Sequence, residues 1–206
     1  MLTIYTLIVL LFSIVIHEIA HGSVALKLGD STAKYAGRLT LNPLKHLDPF
    51  GSFILPLLML LFTAGQGPIF GWAKPVPINP YNFRDQKWGM IKVAISGPAA
   101  NFLIAIIFGF LIRFFPLPIT LSALFNIIIF YNLLWGFFNL VPIPPLDGSH
   151  LLFRFLPDRF FWRFKIILQQ YGMFILILFV FFGLRLLIPL VFYFYQLIVG
   201  KSPVLF

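Results

Sequence analysis

His17 and His21 stand four residues apart, and Glu18 directly follows the first of them. On an α-helix that spacing turns both imidazoles the same way. Two imidazoles so placed can share one metal ion, with the neighbouring carboxylate in reach of a water held there. Zinc lowers the pKa of such a water from about 15.7 to about 7, and the carboxylate accepts the proton. The resulting nucleophile can attack a peptide carbonyl. The pattern is short, and in many chains it is an ordinary solvated helix face. Here it interrupts an apolar run. A charge at the centre of a transmembrane helix costs about 2.5–3.5 kcal/mol on insertion scales, so three ionisable groups within five positions need partners.

A catalytic zinc usually takes three protein ligands and keeps one position open. The remaining histidines are His46 and His150, and the acidic residues are Glu18, Asp30, Asp48, Asp85, Asp147 and Asp158. Only Glu18 and Asp147 adjoin long apolar runs. Asp147 follows Pro142-Ile143-Pro144-Pro145-Leu146, which must break a helix, and Gly148 frees the backbone beyond it. Asp147 is the expected third ligand. The competing reading makes it the N-cap of a helix starting near Ser149.

The elements that position these residues are apolar. Of 206 residues, 60% are hydrophobic and 10% charged, against about 25% charged in a soluble domain. Mean hydropathy is +0.98. A soluble fold of this size could not hide so much apolar surface, so the bilayer is the natural solvent. The expected fold is an all-α, polytopic transmembrane helix bundle with about 5–6 membrane segments, forming one domain over residues 1–206. Its catalytic core would span 1–150 and its C-terminal helices 151–200.

Clear spans are read at 2–26, 90–115 and 120–141. The first ends in the charged motif rather than a small-residue cleavage site, and reads as a retained span. Residues 166–199 read as two short spans or one long kinked helix. Asp48-Pro49 looks like an N-cap with Pro at the first helical position. It opens the stretch 50–63, which is short for a crossing and carries Pro56, so a re-entrant segment is expected. Lys34 to Leu41 reads as a short β-like loop or a plain connection, and 64–89 as irregular.

Net charge is +9, and there is no cysteine, which excludes thiolate metal sites. The basic residues lie between the apolar runs, where they suit headgroups and cytoplasmic loops rather than nucleic acid. Segments 23–49, 64–92 and 144–165 each hold four Lys or Arg, while 113–119 holds one. With the three rich segments inside, the first and third clear spans run in the same direction. His21 and Asp147 then arrive together near the cytoplasmic face.

Over most of residues 10–150 the chain resembles the site-2 protease family of intramembrane zinc metalloproteases, peptidase family M50. His17-Glu18-Ile19-Ala20-His21-Gly22 resembles the family's zinc helix. The stretch from Phe138-Asn139 to Asp147-Gly148 resembles its Asp-Gly segment. Gly71-Trp72-Ala73-Lys74-Pro75-Val76-Pro77 and Ser96-Gly97-Pro98-Ala99-Ala100-Asn101 resemble two further recurrent segments. The resemblance implies one Zn2+ per chain on His17, His21 and Asp147, with Glu18 as base. It suggests that Asn139 holds the oxyanion or the substrate, against the alternative of an interhelical hydrogen bond. Asn101 carries the same two readings.

The chain resembles the minimal core of that family, without an inserted PDZ-like domain. The expected activity is hydrolysis of peptide bonds in or near transmembrane segments of another membrane protein. The expected location is the plasma membrane of a prokaryote. The rival reading is a metal transporter or a non-catalytic zinc-binding membrane protein. A transporter would show repeated halves and polar relays in several spans, and the chain has no internal repeat.

Overall fold

A computed structural model describes residues 2–62 and 73–200. Gly71 and Trp72 of the recurrent segments lie outside the described residues. The described elements are helical, with no strand among them. Helix α1 covers Leu2–Lys27, α2 Thr32–Tyr35 and α3 Leu55–Phe62, the last entered through a π-helical turn at Pro49–Ile54. Then come α4 (Gly89–Phe114), α5 (Ile119–Asn139), α6 (Asp147–Phe155), α7 (Asp158–Leu178) and α8 (Leu184–Val199).

Four helical runs among the described residues are long and apolar enough to cross a membrane: Ile4–Lys27, Gly89–Phe114, Ile119–Asn139 and Arg159–Val199. Pro49–Phe62 is a shorter apolar helix. The all-α membrane bundle expected from the sequence is the fold. Residues 166–199 belong to one long helical run, 41 residues from Arg159, with a π-helical turn at Phe179–Gly183 between α7 and α8.

The spans stop where the chain dictates. Lys27 sits in the last turn of α1, where its charge suits the carbonyl end of the helix dipole. Gly29 follows at φ 111°, and the Asp30 N–H returns to the Ala25 carbonyl at 2.9 Å. A residue with a Cβ is strained in that conformation, so glycine ends the helix there. At the start of the π turn, Asp48 Oδ1 accepts from the Gly51 N–H at 2.6 Å, so Asp48-Pro49 acts as the expected start signal.

The β-like loop expected at Lys34–Leu41 does not form. Asp30 Oδ1 accepts the Thr32 N–H at 3.1 Å and the Thr32 hydroxyl, which starts a turn of helix instead. The Arg38 N–H closes back on the Ala33 carbonyl at 3.0 Å, with Gly37 at φ 64°. These local turn bonds, side chain to backbone and backbone to backbone, outweigh the strand propensity of the stretch.

Side-chain pairings fix helix direction. Asn101 of α4 meets His17, and Val93 of α4 meets His21, so α4 runs antiparallel to α1. On α5, Asn132 bonds the Asn101 side chain that also reaches Ser13, and Trp135 stands edge-on to His17. α5 therefore runs parallel to α1, as the charge pattern requires. Away from the site, α8 closes the bundle. Ala105 of α4, Ile129 and Leu133 of α5, and Val191, Tyr195 and Val199 of α8 form one buried cluster.

Candidate active site

The His17 and His21 Nε2 atoms lie 2.9 Å apart. Asp147 Oδ2 is 3.1 Å from the first and 3.2 Å from the second. Both histidines are buried. α1 sets the imidazole pair by its own periodicity. Asp147 is delivered by the turn after α5, where it is the first residue of α6, with Leu146 in the cap position. The competing N-cap reading of Asp147 therefore fails: its carboxylate faces the imidazoles. Gly148 permits this turn, because a Cβ there would stand 2.1 Å from the Leu140 carbonyl oxygen.

The partners of the far ring nitrogens decide what these three atoms can bind. His21 Nδ1 lies 2.7 Å from the Val93 carbonyl, which only accepts, so Nδ1 carries the proton. His17 Nδ1 lies 2.7 Å from Asn101 Oδ1. The Asn101 amide is oriented by its other end: Nδ2 donates to the Ser13 carbonyl at 3.1 Å and to Asn132 Oδ1 at 2.9 Å. Asn132 is itself oriented by donating to the Ile128 carbonyl at 2.9 Å. His17 Nδ1 is therefore also the protonated nitrogen.

Both Nε2 atoms then point lone pairs at Asp147 Oδ2, which is buried and accepts no hydrogen bond. Three lone-pair atoms in contact repel one another unless a cation lies among them. Their 2.9–3.2 Å separations are close to the about 3.3 Å between neighbouring ligands of a tetrahedral zinc with bonds of about 2.0–2.1 Å. The donor set and its spacing fit a zinc ion, with histidine hydrogen bonds of the kind that hold metal ligands in one tautomer.

Gly97 completes the packing. A Cβ there would stand 2.5 Å from His21 Nε2 and 2.6 Å from His17 Nε2, so only glycine lets α4 lie against the imidazole pair. At Gly22 a Cβ would crowd the ends of the Leu39 side chain at 2.6 Å and of Val76 at 3.0 Å, so the glycine lets both pack closely on α1.

Glu18 Oε2 accepts the Val76 N–H at 2.7 Å, which anchors the carboxylate to the extended stretch 73–79. Glu18 borders a cavity of about 310 Å³ that also exposes Trp135, Asn139 and Met173. Asn139 thus lines the same space as Glu18. Its Nδ2 donates to the Trp135 carbonyl of its own helix at 3.0 Å, and no interhelical bond of its side chain is seen among the described residues. His46 lies elsewhere, with Nε2 on the Thr40 carbonyl, and His150 is not among the converging atoms. The sequence reading named Asn101 with its role open. It missed Asn132, the Val93 carbonyl, the Val76 N–H and the reason for Gly97.

The family model for peptidase family M50 matches residues 116–179, which include Asn139 and Asp147. YwhC of Bacillus subtilis (strain 168) is 41% identical over 162 residues, covering 74% of this chain and 69% of that protein. Rip2 of Mycolicibacterium smegmatis is 32% identical over 67% of this chain and 52% of its own length. MJ0392 of Methanocaldococcus jannaschii is 29% identical over 75% of this chain and 35% of its own length. The chain thus spans about half of Rip2 and about a third of MJ0392. All three carry the words zinc metalloprotease in their names. No solved structure matches the chain. A buried site whose donor set fits zinc, set in a bundle of apolar helices, agrees with this likeness, and the chain belongs to peptidase family M50, the site-2 protease family of zinc metalloproteases.

Proposed function

We propose that the protein is an intramembrane protease that hydrolyses peptide bonds in or near transmembrane segments of other membrane proteins. The observation that carries this reading is the convergence of His17, His21 and Asp147 between apolar helices, beside a cavity that Glu18 and Asn139 share. His17, His21 and Asp147 hold the zinc. When bound, zinc supplies a Lewis acid that polarises the scissile carbonyl and acidifies water. Glu18 is the general base: its Oε2 is held by the Val76 N–H, and the residue lines the cavity. Asn139 is placed to donate to the substrate carbonyl oxygen as negative charge develops there. Asn101 and Asn132 are positioning residues, acting through the His17 tautomer.

The basic segments favour a site near the cytoplasmic face, and the bacterial and archaeal sources of the similar proteins favour the plasma membrane of a prokaryote. Pro49–Phe62, too short to cross unaided, is read as re-entrant. The deciding experiment uses the purified full chain in liposomes with a panel of single-span substrates. Glu18→Gln should keep one zinc per chain and lose at least about 100-fold in cleavage rate, the lower end of what a general base contributes. Undiminished cleavage by this variant overturns the protease reading.

A further inference from the structure

Arg38 is 6% exposed and has no carboxylate partner among the described residues. A buried guanidinium left without an anion is costly. Glu18, Asp30, Asp48, Asp85 and Asp147 are committed to Val76, the Thr32–Asn79–Asn82 group, Gly51, Lys92 and the imidazoles. Arg38 instead donates from Nη2 to two neutral carbonyls, Lys74 at 2.5 Å and Pro75 at 3.4 Å. Its Nε–H is buried and unpartnered among the described residues.

Beside this group lies a pocket of about 410 Å³ lined by Arg38, Lys45 and Lys74, with no acidic side chain on its wall. The Lys74 N–H bonds the His46 carbonyl at 2.8 Å, which ties the two lysine-bearing segments together across the pocket. Leu39, next to Arg38, packs against Gly22, and Val76, next to Pro75, bonds Glu18, so the pocket lies alongside the last turns of α1, near the end of that span.

We propose that this pocket binds a phosphate group, that of an anionic lipid headgroup or of a soluble phosphate. Arg38 supplies a fixed planar donor and Lys45 and Lys74 supply mobile point charges. The stretch Lys74–Val76 joins the pocket to the active site: its first two carbonyls hold Arg38, and its last N–H holds Glu18. An anion drawn against Arg38 steadies that stretch and with it the Glu18 carboxylate. This second step rests on the proteolytic reading above; the binding step does not.

The test takes the full chain in nanodiscs of phosphatidylcholine, with or without phosphatidylglycerol, and reads retained lipid by native mass spectrometry. Wild-type chain should retain phosphatidylglycerol over phosphatidylcholine by about tenfold or more, as expected for three cations at a headgroup. Arg38→Gln and the exposed pair Lys45→Gln/Lys74→Gln should each lose that preference while keeping their zinc. Inorganic phosphate that binds wild type in phosphatidylcholine discs, and not the variants, assigns the site to soluble phosphate instead. Equal retention by wild type and variants, or no binding of either probe, overturns the site. Cleavage should rise with phosphatidylglycerol in wild type only. Selective binding with unchanged cleavage overturns the link to Glu18 and leaves the site standing.

Discussion

His17 can serve as a ligand in one tautomer only, and Asn101 selects it. Replacing Asn101 by Leu keeps the volume but leaves the His17 Nδ1–H, the Ser13 carbonyl and Asn132 Oδ1 without their partner. Zinc affinity should fall about 10–100-fold, the usual cost of losing such a support. Chelator competition against wild type reads this directly; unchanged affinity would remove Asn101 from the site. Gly97→Ala tests the packing of the same pair. Its methyl would overlap both Nε2 atoms, whereas a methyl at Gly109 would meet the end of the Ile198 side chain. Gly97→Ala should lose zinc, and Gly109→Ala should disturb α4–α8 packing with its zinc retained. Equal zinc in both would show that α4 does not press on the ligands. The three converging residues were legible because each is an ionisable side chain at a price in an apolar setting. Val93 and Val76 act through a carbonyl and an N–H, which leave no mark of residue type; Gly97 and Val76 stand in the recurrent segments, but what each touches could not be read from them.

Elements around the site depend on one carboxylate remote from it. Asp30 is fully buried and accepts from Thr32, from the Asn79 N–H at 2.8 Å and from Asn82 Nδ2 at 2.8 Å. It thereby ties the end of α1 to the loop that leads into α4. Burial alone would raise its pKa, but the hydrogen bonds from Thr32, Asn79 and Asn82 outweigh it and hold the carboxyl below its ordinary value. A depressed folded-state pKa contributes stability that is present above the unfolded value and lost as pH falls through the folded one. Asp30→Asn should therefore destabilise the chain by about 2 kcal/mol at neutral pH, the scale of lost charge-assisted bonds. The gap should close in acid, below the ordinary carboxylate range. A gap that persists unchanged there would mean that the charge of Asp30 contributes nothing. This residue also explains why, of the two readings of Lys34–Leu41, the β-like one fails. The acceptor that starts the helix is four residues upstream, and it is held by groups about fifty residues away, beyond the reach of a local pattern.

For the whole molecule, the relative direction of the helices and their orientation in the bilayer are separate questions. Contacts among His17, Asn101, Asn132 and Trp135 settle the first: α1 and α5 run together and α4 runs against them. Basic residues argue the second, because the three segments at the site's end of the bundle hold twelve Lys or Arg between them while 113–119, where α4 ends and α5 begins, holds Arg113 alone. The chain has no cysteine, so single cysteines can report on each end without a background. Tyr81 is 89% exposed on the segment before α4, and Ile119 is 87% exposed at the start of α5, at the opposite end of that helix. In intact cells a membrane-impermeant maleimide should label Ile119→Cys and spare Tyr81→Cys until the membrane is opened. The opposite pattern would put the zinc site at the outer face and reverse the direction from which a substrate's cleaved end is released. Labelling of both in intact cells would mean that the bundle does not separate the two ends across a membrane. Only the first pattern joins the charge asymmetry to the parallel arrangement of α1 and α5 and brings His21 and Asp147 to the cytoplasmic side together.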